Sequence, residues 1–143
     1  MKSKLFVSII TVFLAAFPVL AHHPFSAEYD WKQPISVTGT VSKLDWANPH
    51  AHIYVDAKDP DGKTRSWTFE LGGLNALTNA GWSKDIVKTG DTVVVDAWLS
   101  KSQSNVGNVK SIKLPNGREL SGASSIVDPN ANPTDAKPKT DKV

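Results

Sequence analysis

The chain has 143 residues, 40% of them hydrophobic and 21% charged, with no cysteine; at ~100–200 residues per domain this is one small domain rather than a multidomain enzyme. Without cysteine there is no disulfide framework, Cys-ligated zinc or iron–sulfur site, cysteine nucleophile or lipid-modified cysteine, and chemistry falls to His, carboxylates, hydroxyls and backbone. The net charge of +2 is carried by Lys2 and Lys4, every acidic residue lies beyond position 21, and the remainder holds 14 basic against 14 acidic residues, a balance that predicts no nucleic-acid partner.

Met1–Ala21 reads as a secretory signal peptide. Two lysines precede an apolar run from Leu5 to Ala16 broken only by Ser8 and Thr11, and Val19-Leu20-Ala21 supplies the aliphatic and small residues of a cleavage site. Leu5 to Ala21 is 17 residues and contains Pro18, at the lower limit of the ~17–25 needed to cross a bilayer. Cleavage after Ala21 is therefore expected, giving a periplasmic or secreted protein that begins at His22 and has no membrane partner. Export removes it from the reducing, nucleotide-rich cytosol, and no glycine motif that would cradle a phosphate is present.

Residues 22–33 read as an N-terminal arm, and 34–121 as the folded domain. Ile35 to Val41 alternates in hydrophobicity; so do Ala51, Ile53, Val55 and Ala57 with His52, Tyr54 and Asp56, and Trp67, Phe69 and Leu71 with Ser66, Thr68 and Glu70. Period two predicts half-buried strands. Asp59-Pro60-Asp61-Gly62 is turn chemistry that joins the second and third strands in a hairpin. Leu74 to Ala80 carries Leu74, Leu77 and Ala80 at helical spacing and is closed by Gly81. A fourth strand is predicted at Thr92 to Leu99 and a fifth around Asn108 to Leu114, ended by an Asn116-Gly117 turn. Long strand, hairpin, short helix and two more strands is the order of a small five-stranded OB-like barrel, all-β with one short helix; an open five-stranded sandwich or roll is the alternative. Gly122 to Val143, with Pro129, Pro133 and Pro138 among polar residues, reads as a disordered tail.

All four histidines, His22, His23, His50 and His52, fall within 31 residues. After cleavage at Ala21 the α-amine and Nδ1 of His22 can chelate one ion, with a further imidazole completing an all-nitrogen site suited to Cu(II). Pro24 as third residue has no amide proton and rules out the square-planar motif that needs one. His50 and His52 alternate on the second strand and project from its outer face, because Ala51, Ile53 and Val55 claim the core. Face matching across the hairpin puts Glu70 opposite His52 or His50, where it would ligate or orient an imidazole. The candidate metal set is thus His22, His23, His50, His52 and Glu70, for Cu(II), Zn(II) or another divalent cation. The competing reading is solvated surface histidines, with Asn48-Pro49 a turn that His50 caps.

Five tryptophans, Trp31, Trp46, Trp67, Trp82 and Trp98, interleave with Lys43, Lys58 and Lys84. Such a pattern can build stacking platforms for bases or sugars, but core and barrel-end roles fit Trp67, Trp46 and Trp82, while Trp98 reads as outward-facing and open to a protein partner. No Ser-His-Asp order, Gly-x-Ser-x-Gly elbow or His-Glu-x-x-His helix occurs. Glu28, Asp30, Asp45, Asp56 and Glu70 single out no acid–base pair, so no enzyme is predicted.

Ala21-His-His-Pro-Phe25, Gly39-Thr-Val41, Trp46 with Asn48-Pro-His-Ala51, Asp61-Gly62, Trp67, Gly81-Trp82 and Gly90-Asp91 together resemble small exported proteins of Gram-negative bacteria grouped as domain-of-unknown-function family six-one-five-two. The resemblance runs from about residue 21 to 120 and implies export and a compact β domain, with nothing catalytic. Two positions depart from the family pattern: Pro24, where serine is more usual, and His52, which the pattern does not fix. That favours His22, His23 and His50. The sequence as a whole reads as an exported soluble binding or accessory protein with a divalent-metal site; the alternative is a metal-free interaction module whose Trp46–His50 loop, Tyr54, Thr68 and Trp98 contact a periplasmic protein or glycan.

Overall fold

The computed structural model describes residues 25–124. The signal-peptide expectation for Met1–Ala21, the placements of His22 and His23, and most of the expected tail lie outside the described residues. The elements in chain order are α1 (Phe25–Glu28), β1 (Tyr29–Asp45), β2 (His52–Lys58), β3 (Thr64–Glu70), α2 (Leu74–Asn79), β4 (Thr92–Ser100), β5 (Val106–Lys113) and β6 (Glu119–Ser121). The fold is mostly β, with six strands rather than five and two short helices instead of one.

β1 is long because it serves two neighbours. Tyr29 to Thr40 pairs with β4 and Thr40 to Asp45 with β2, with irregularities between Asp30 and Pro34 and between Val41 and Lys43. Such bulges increase local bend and twist, and a bent shared strand is what allows the sheet to curl. Gly39 sits at the handover, where a Cβ would press on the Asp56 carbonyl and the Val55 side chain. The sheet runs β3-β2-β1-β4-β5-β6, and a parallel pairing of β3 with β5, Thr68–Glu70 against Val106–Asn108, closes it in a ring. β6 lies outside that ring, as the second arm of a hairpin with β5 through the Asn116-Gly117 turn, where Gly117 has φ 83°.

The inward set is the one the alternation predicts. Val41, Ile53, Val55, Phe69, Val93, Val95, Val109 and Ile112 are buried from five strands. α2 adds Leu77 to this core and ends where Gly81 takes φ 88°. Trp82 is buried beside it and donates its Nε1–H to the Ser121 carbonyl at 2.8 Å, satisfying the one polar group of an otherwise apolar plug. Trp46 and Trp67 pack partly buried against the same core, Trp67 stacked on Phe69 at 5.5 Å.

Three expectations are corrected. The first strand begins at Tyr29, not near Ile35, because backbone pairing to β4 continues through the Asp30–Pro34 bulge where hydrophobic alternation fails. The start of the expected tail is structured: Gly122 N–H donates to the Lys110 carbonyl and its own carbonyl accepts from Gly72 N–H, at 2.9 and 2.8 Å. Trp98 faces out of the ring as its parity requires, yet it is 8% exposed, because Phe25 of α1 lies edge-on against it at 5.7 Å between ring centroids.

Candidate functional site

Strand register lines up one row of residues around the outside of the ring. Asp45 is opposite His52, His52 opposite Glu70, Glu70 opposite Asn108, Asn108 opposite Trp98, and Trp98 opposite Pro34. Residues opposite each other across paired strands share a face. Glu70, the last residue of β3, stands at the ring closure between the histidine-bearing strand and the tryptophan covered by α1.

Its carboxylate gathers three groups from distant segments. Tyr29 Oη donates to Oε2 at 2.8 Å, Asn108 Nδ2 donates to Oε1 at 3.4 Å, and His50 Nδ1 lies 2.8 Å from Oε1. The Glu70 side chain is 19% exposed and that of His50 40%, so the carboxylate is largely covered while the imidazole reaches solvent. A proton on Nδ1, facing the carboxylate, leaves Nε2 with a free lone pair. Asn108 is 2% exposed and its Oδ1 has no partner among the described residues. The Tyr29 phenol is pushed well above its usual ionisation range, first by burial, then by the hydrogen bond to Glu70 and the charges of Glu70 and Glu28; it is a donor throughout the neutral range.

Beside Glu70 opens a cleft of about 380 Å³, bordered by Glu28, Tyr29, His52, Thr68, Glu70 and Val106, by Ser100 at the end of β4, and by Ser102 and Gln103 of the β4–β5 connection. Ser100 Oγ accepts the backbone N–H groups of Ser102 and Gln103 at 3.4 and 3.2 Å, which tightens the turn of chain leaving β4.

Of the five predicted site residues the structure brings two, His50 and Glu70, into contact and sets a third, His52, beside them in register. His50 contacts Glu70, His52 is directly opposite Glu70 in register, and both imidazoles are partly exposed; His22 and His23 are outside the described residues. Among the described residues no group of three or more His, Asp and Glu side chains is close enough to hold a metal ion. His50, expected in the competing reading to cap the Asn48-Pro49 turn, turns its Nδ1 to Glu70 instead, while Asn48 Oδ1 accepts from Leu74 N–H at 3.1 Å and ties the preceding loop to the start of α2. Other candidate carboxylates serve local partners: Asp30 accepts from Lys32 N–H and Gln33, and Asp56 from Ser66 Oγ. Tyr29 and Asn108 escaped sequence reasoning. The signal for Asn108 is a lone amide in a strand flanked by Val106 and Val109; for Tyr29 there is none.

The fold and site together define a small, mostly β protein whose ring-closed sheet carries a carboxylate–imidazole pair on its outer face. The profile of the Family of unknown function (DUF6152) matches residues 11–110, and the chain belongs to that family. No curated protein matches the sequence. Among solved structures the chain is similar to two crystal structures of the mitochondrial single-stranded DNA binding protein Rim1 from S. cerevisiae, both of Form2 and one of them selenomethionine-labelled. One is 15% identical, covering 58% of this chain and 94% of that one at a TM-score of 0.44; the other is 18% identical, covering 57% and 92% at 0.42. The exclusion of a nucleic-acid partner, drawn above from charge balance, is corrected by this finding: proteins of that description are among the structures this chain resembles. The likeness describes those proteins' ligand and assigns none to this chain.

Proposed function

We propose that this protein is an exported binding module, an OB-like barrel, that holds Cu(II) or another divalent cation on His50, with Glu70 orienting the imidazole. The observation that carries the reading is the 2.8 Å approach of His50 Nδ1 to Glu70 Oε1. A carboxylate behind an imidazole fixes its tautomer and raises its basicity, the usual arrangement for histidine ligands. His50 lies two residues before β2 rather than on it as expected, and His52, the first residue of that strand, is the nearest further imidazole in sequence. His22 and His23 are the completing ligands in this reading. Phe25 stacks on Tyr29, which itself reaches Glu70, and the two Cα–Cα steps from His23 through Pro24 to Phe25 span at most ~7 Å.

Calorimetric titration of the exported protein with Cu(II) and Zn(II) tests this. One-to-one binding is expected, lost in His50→Ala and weakened about 10–100-fold in Glu70→Gln, and fading on acidification as imidazoles take up protons. Binding indifferent to both substitutions contradicts the proposal.

The cleft supports a second reading, a glycan-binding module. About 380 Å³ of space bordered by hydroxyl, amide and carboxyl groups fits a saccharide unit, and the β2–β3 face with the β4–β5 loop is where OB-folds take oligosaccharides. In this version Thr68 borders the site while Tyr54, under Lys43 Nζ at 5.3 Å from its ring, lies further along the face. Trp98 is withdrawn from it, being covered by Phe25. Retention on immobilised glycans, insensitive to chelator and to His50→Ala, favours this reading over the first.

A further inference from the structure

Glu70 owes its orientation to a part of the chain that does not belong to the main core. At the end of β3 its carboxylate can swing about its own torsions unless donors hold it, and the donor on Oε2 is Tyr29. Tyr29 is the first residue of β1, paired with Ser100, and its ring stacks on Phe25 at 5.2 Å between centroids. Phe25 in turn makes a T-shaped contact with Trp98. α1 is fastened by one residue of the β4–β5 connection: Lys101 N–H donates to the Glu28 carbonyl at 2.9 Å and Lys101 Nζ to the Ser26 carbonyl at 2.6 Å. Phe25, Tyr29 and Trp98 form a satellite cluster outside the core that holds the ring together.

We infer that Tyr29 is a positioning residue for the Glu70–His50 pair, and that Phe25–Tyr29 is a strap whose seating on Trp98 sets the geometry of the site. The chain of contact is unbroken: Trp98 to Phe25, Phe25 to Tyr29, Tyr29 to Glu70, Glu70 to His50. With the strap seated, the Tyr29 O–H occupies Oε2 and the Asn108 amide and His50 share Oε1, so the carboxylate plane is fixed by three donors. With the strap displaced, Oε2 loses its donor and the carboxylate is held through Oε1 alone, so that its plane, and with it the partner that His50 faces, is no longer fixed. Coupling of this kind is reciprocal: a ligand that needs His50 oriented also firms the strap. The ligand itself rests on the cation-binding reading above, whereas the link from strap to imidazole requires no ligand.

The test is NMR on the ¹⁵N-labelled exported protein without metal, reading the His50 tautomer and the exchange protection of the Lys101 amide. The expected state is an Nδ1–H tautomer with a protected amide. Tyr29→Phe keeps the stacked ring and loses only the hydroxyl; it is expected to keep Lys101 protected while the tautomer preference of His50 is lost. Phe25→Ala is expected to lose both, and Phe25→Tyr to keep both. A Tyr29→Phe protein with an unchanged His50 tautomer overturns the inference, as does a Phe25→Ala protein that loses Lys101 protection alone. Zn(II) titration is then expected to be about tenfold weaker in Tyr29→Phe. Should the unaltered protein take up no Zn(II), the cation reading fails by itself, and the tautomer and exchange results still decide the role of Tyr29.

Discussion

Tyr29 and Glu70, 41 residues apart in sequence, are joined by a 2.8 Å hydrogen bond from the phenol to Oε2 across the point where the ring closes. A partly buried bond to a charged acceptor contributes about 1.5–3 kcal/mol, so Tyr29→Phe is expected to lower the unfolding free energy by that order in denaturant titration. An unchanged midpoint would show that water replaces the hydroxyl without loss.

The same phenol sets an alkaline limit. Its folded pKa is raised above the unfolded value of ~10, so the folded state binds the extra proton. The stability it contributes is fully present below pH ~10 and is lost progressively as pH rises from there towards the folded pKa. Stability profiles from pH 8 to 11 are expected to fall more steeply for the native sequence than for Tyr29→Phe; parallel profiles would contradict the assignment.

Gly122 belongs to the fold. A Cβ there would run into the Val109 carbonyl, and one at Gly72 into that of Ala123, so the two passes of chain are in backbone contact. Gly122→Ala is expected to cost about 1–3 kcal/mol by overpacking, read by thermal unfolding. Gly62→Ala, at a positive φ with open space around it, provides a comparison with strain and no clash.

Asn48 caps α2 from a distant loop. Asn48→Ala is expected to cost about 1 kcal/mol, the scale of a lost helix cap, while leaving Glu70 and its donors in place. Loss of the His50 tautomer in that variant would mean that the loop, not the carboxylate, orients the imidazole.

What the sequence could disclose was set by period and by turns. The alternation of Ile53, Val55 and Ala57 with His52, Tyr54 and Asp56 fixed which face His52 shares, and Asp59–Gly62 fixed the hairpin that puts Glu70 opposite it. Leu74, Leu77 and Gly81 marked α2 within a residue. The rest depended on contacts with no local pattern. The Asp30–Pro34 bulge interrupts alternation and hid the first part of β1; β6 is three residues long with only Leu120 apolar. Parity correctly sent Trp98 outward, but parity cannot say what will cover an outward residue, and Phe25 sits 73 positions away. For the same reason the donors on Glu70 from Tyr29 and Asn108 became visible only when the ring was closed.

His50, held by Glu70, is proposed to present a nitrogen to a divalent cation, and paramagnetic broadening by Cu(II) reports on that contact residue by residue. Substoichiometric Cu(II) added to the ¹⁵N-labelled protein is expected to erase amide signals around His50, His52, Glu70 and Thr68 first, and to spare them in His50→Ala. Broadening that begins elsewhere, or that survives His50→Ala unchanged, would contradict the account.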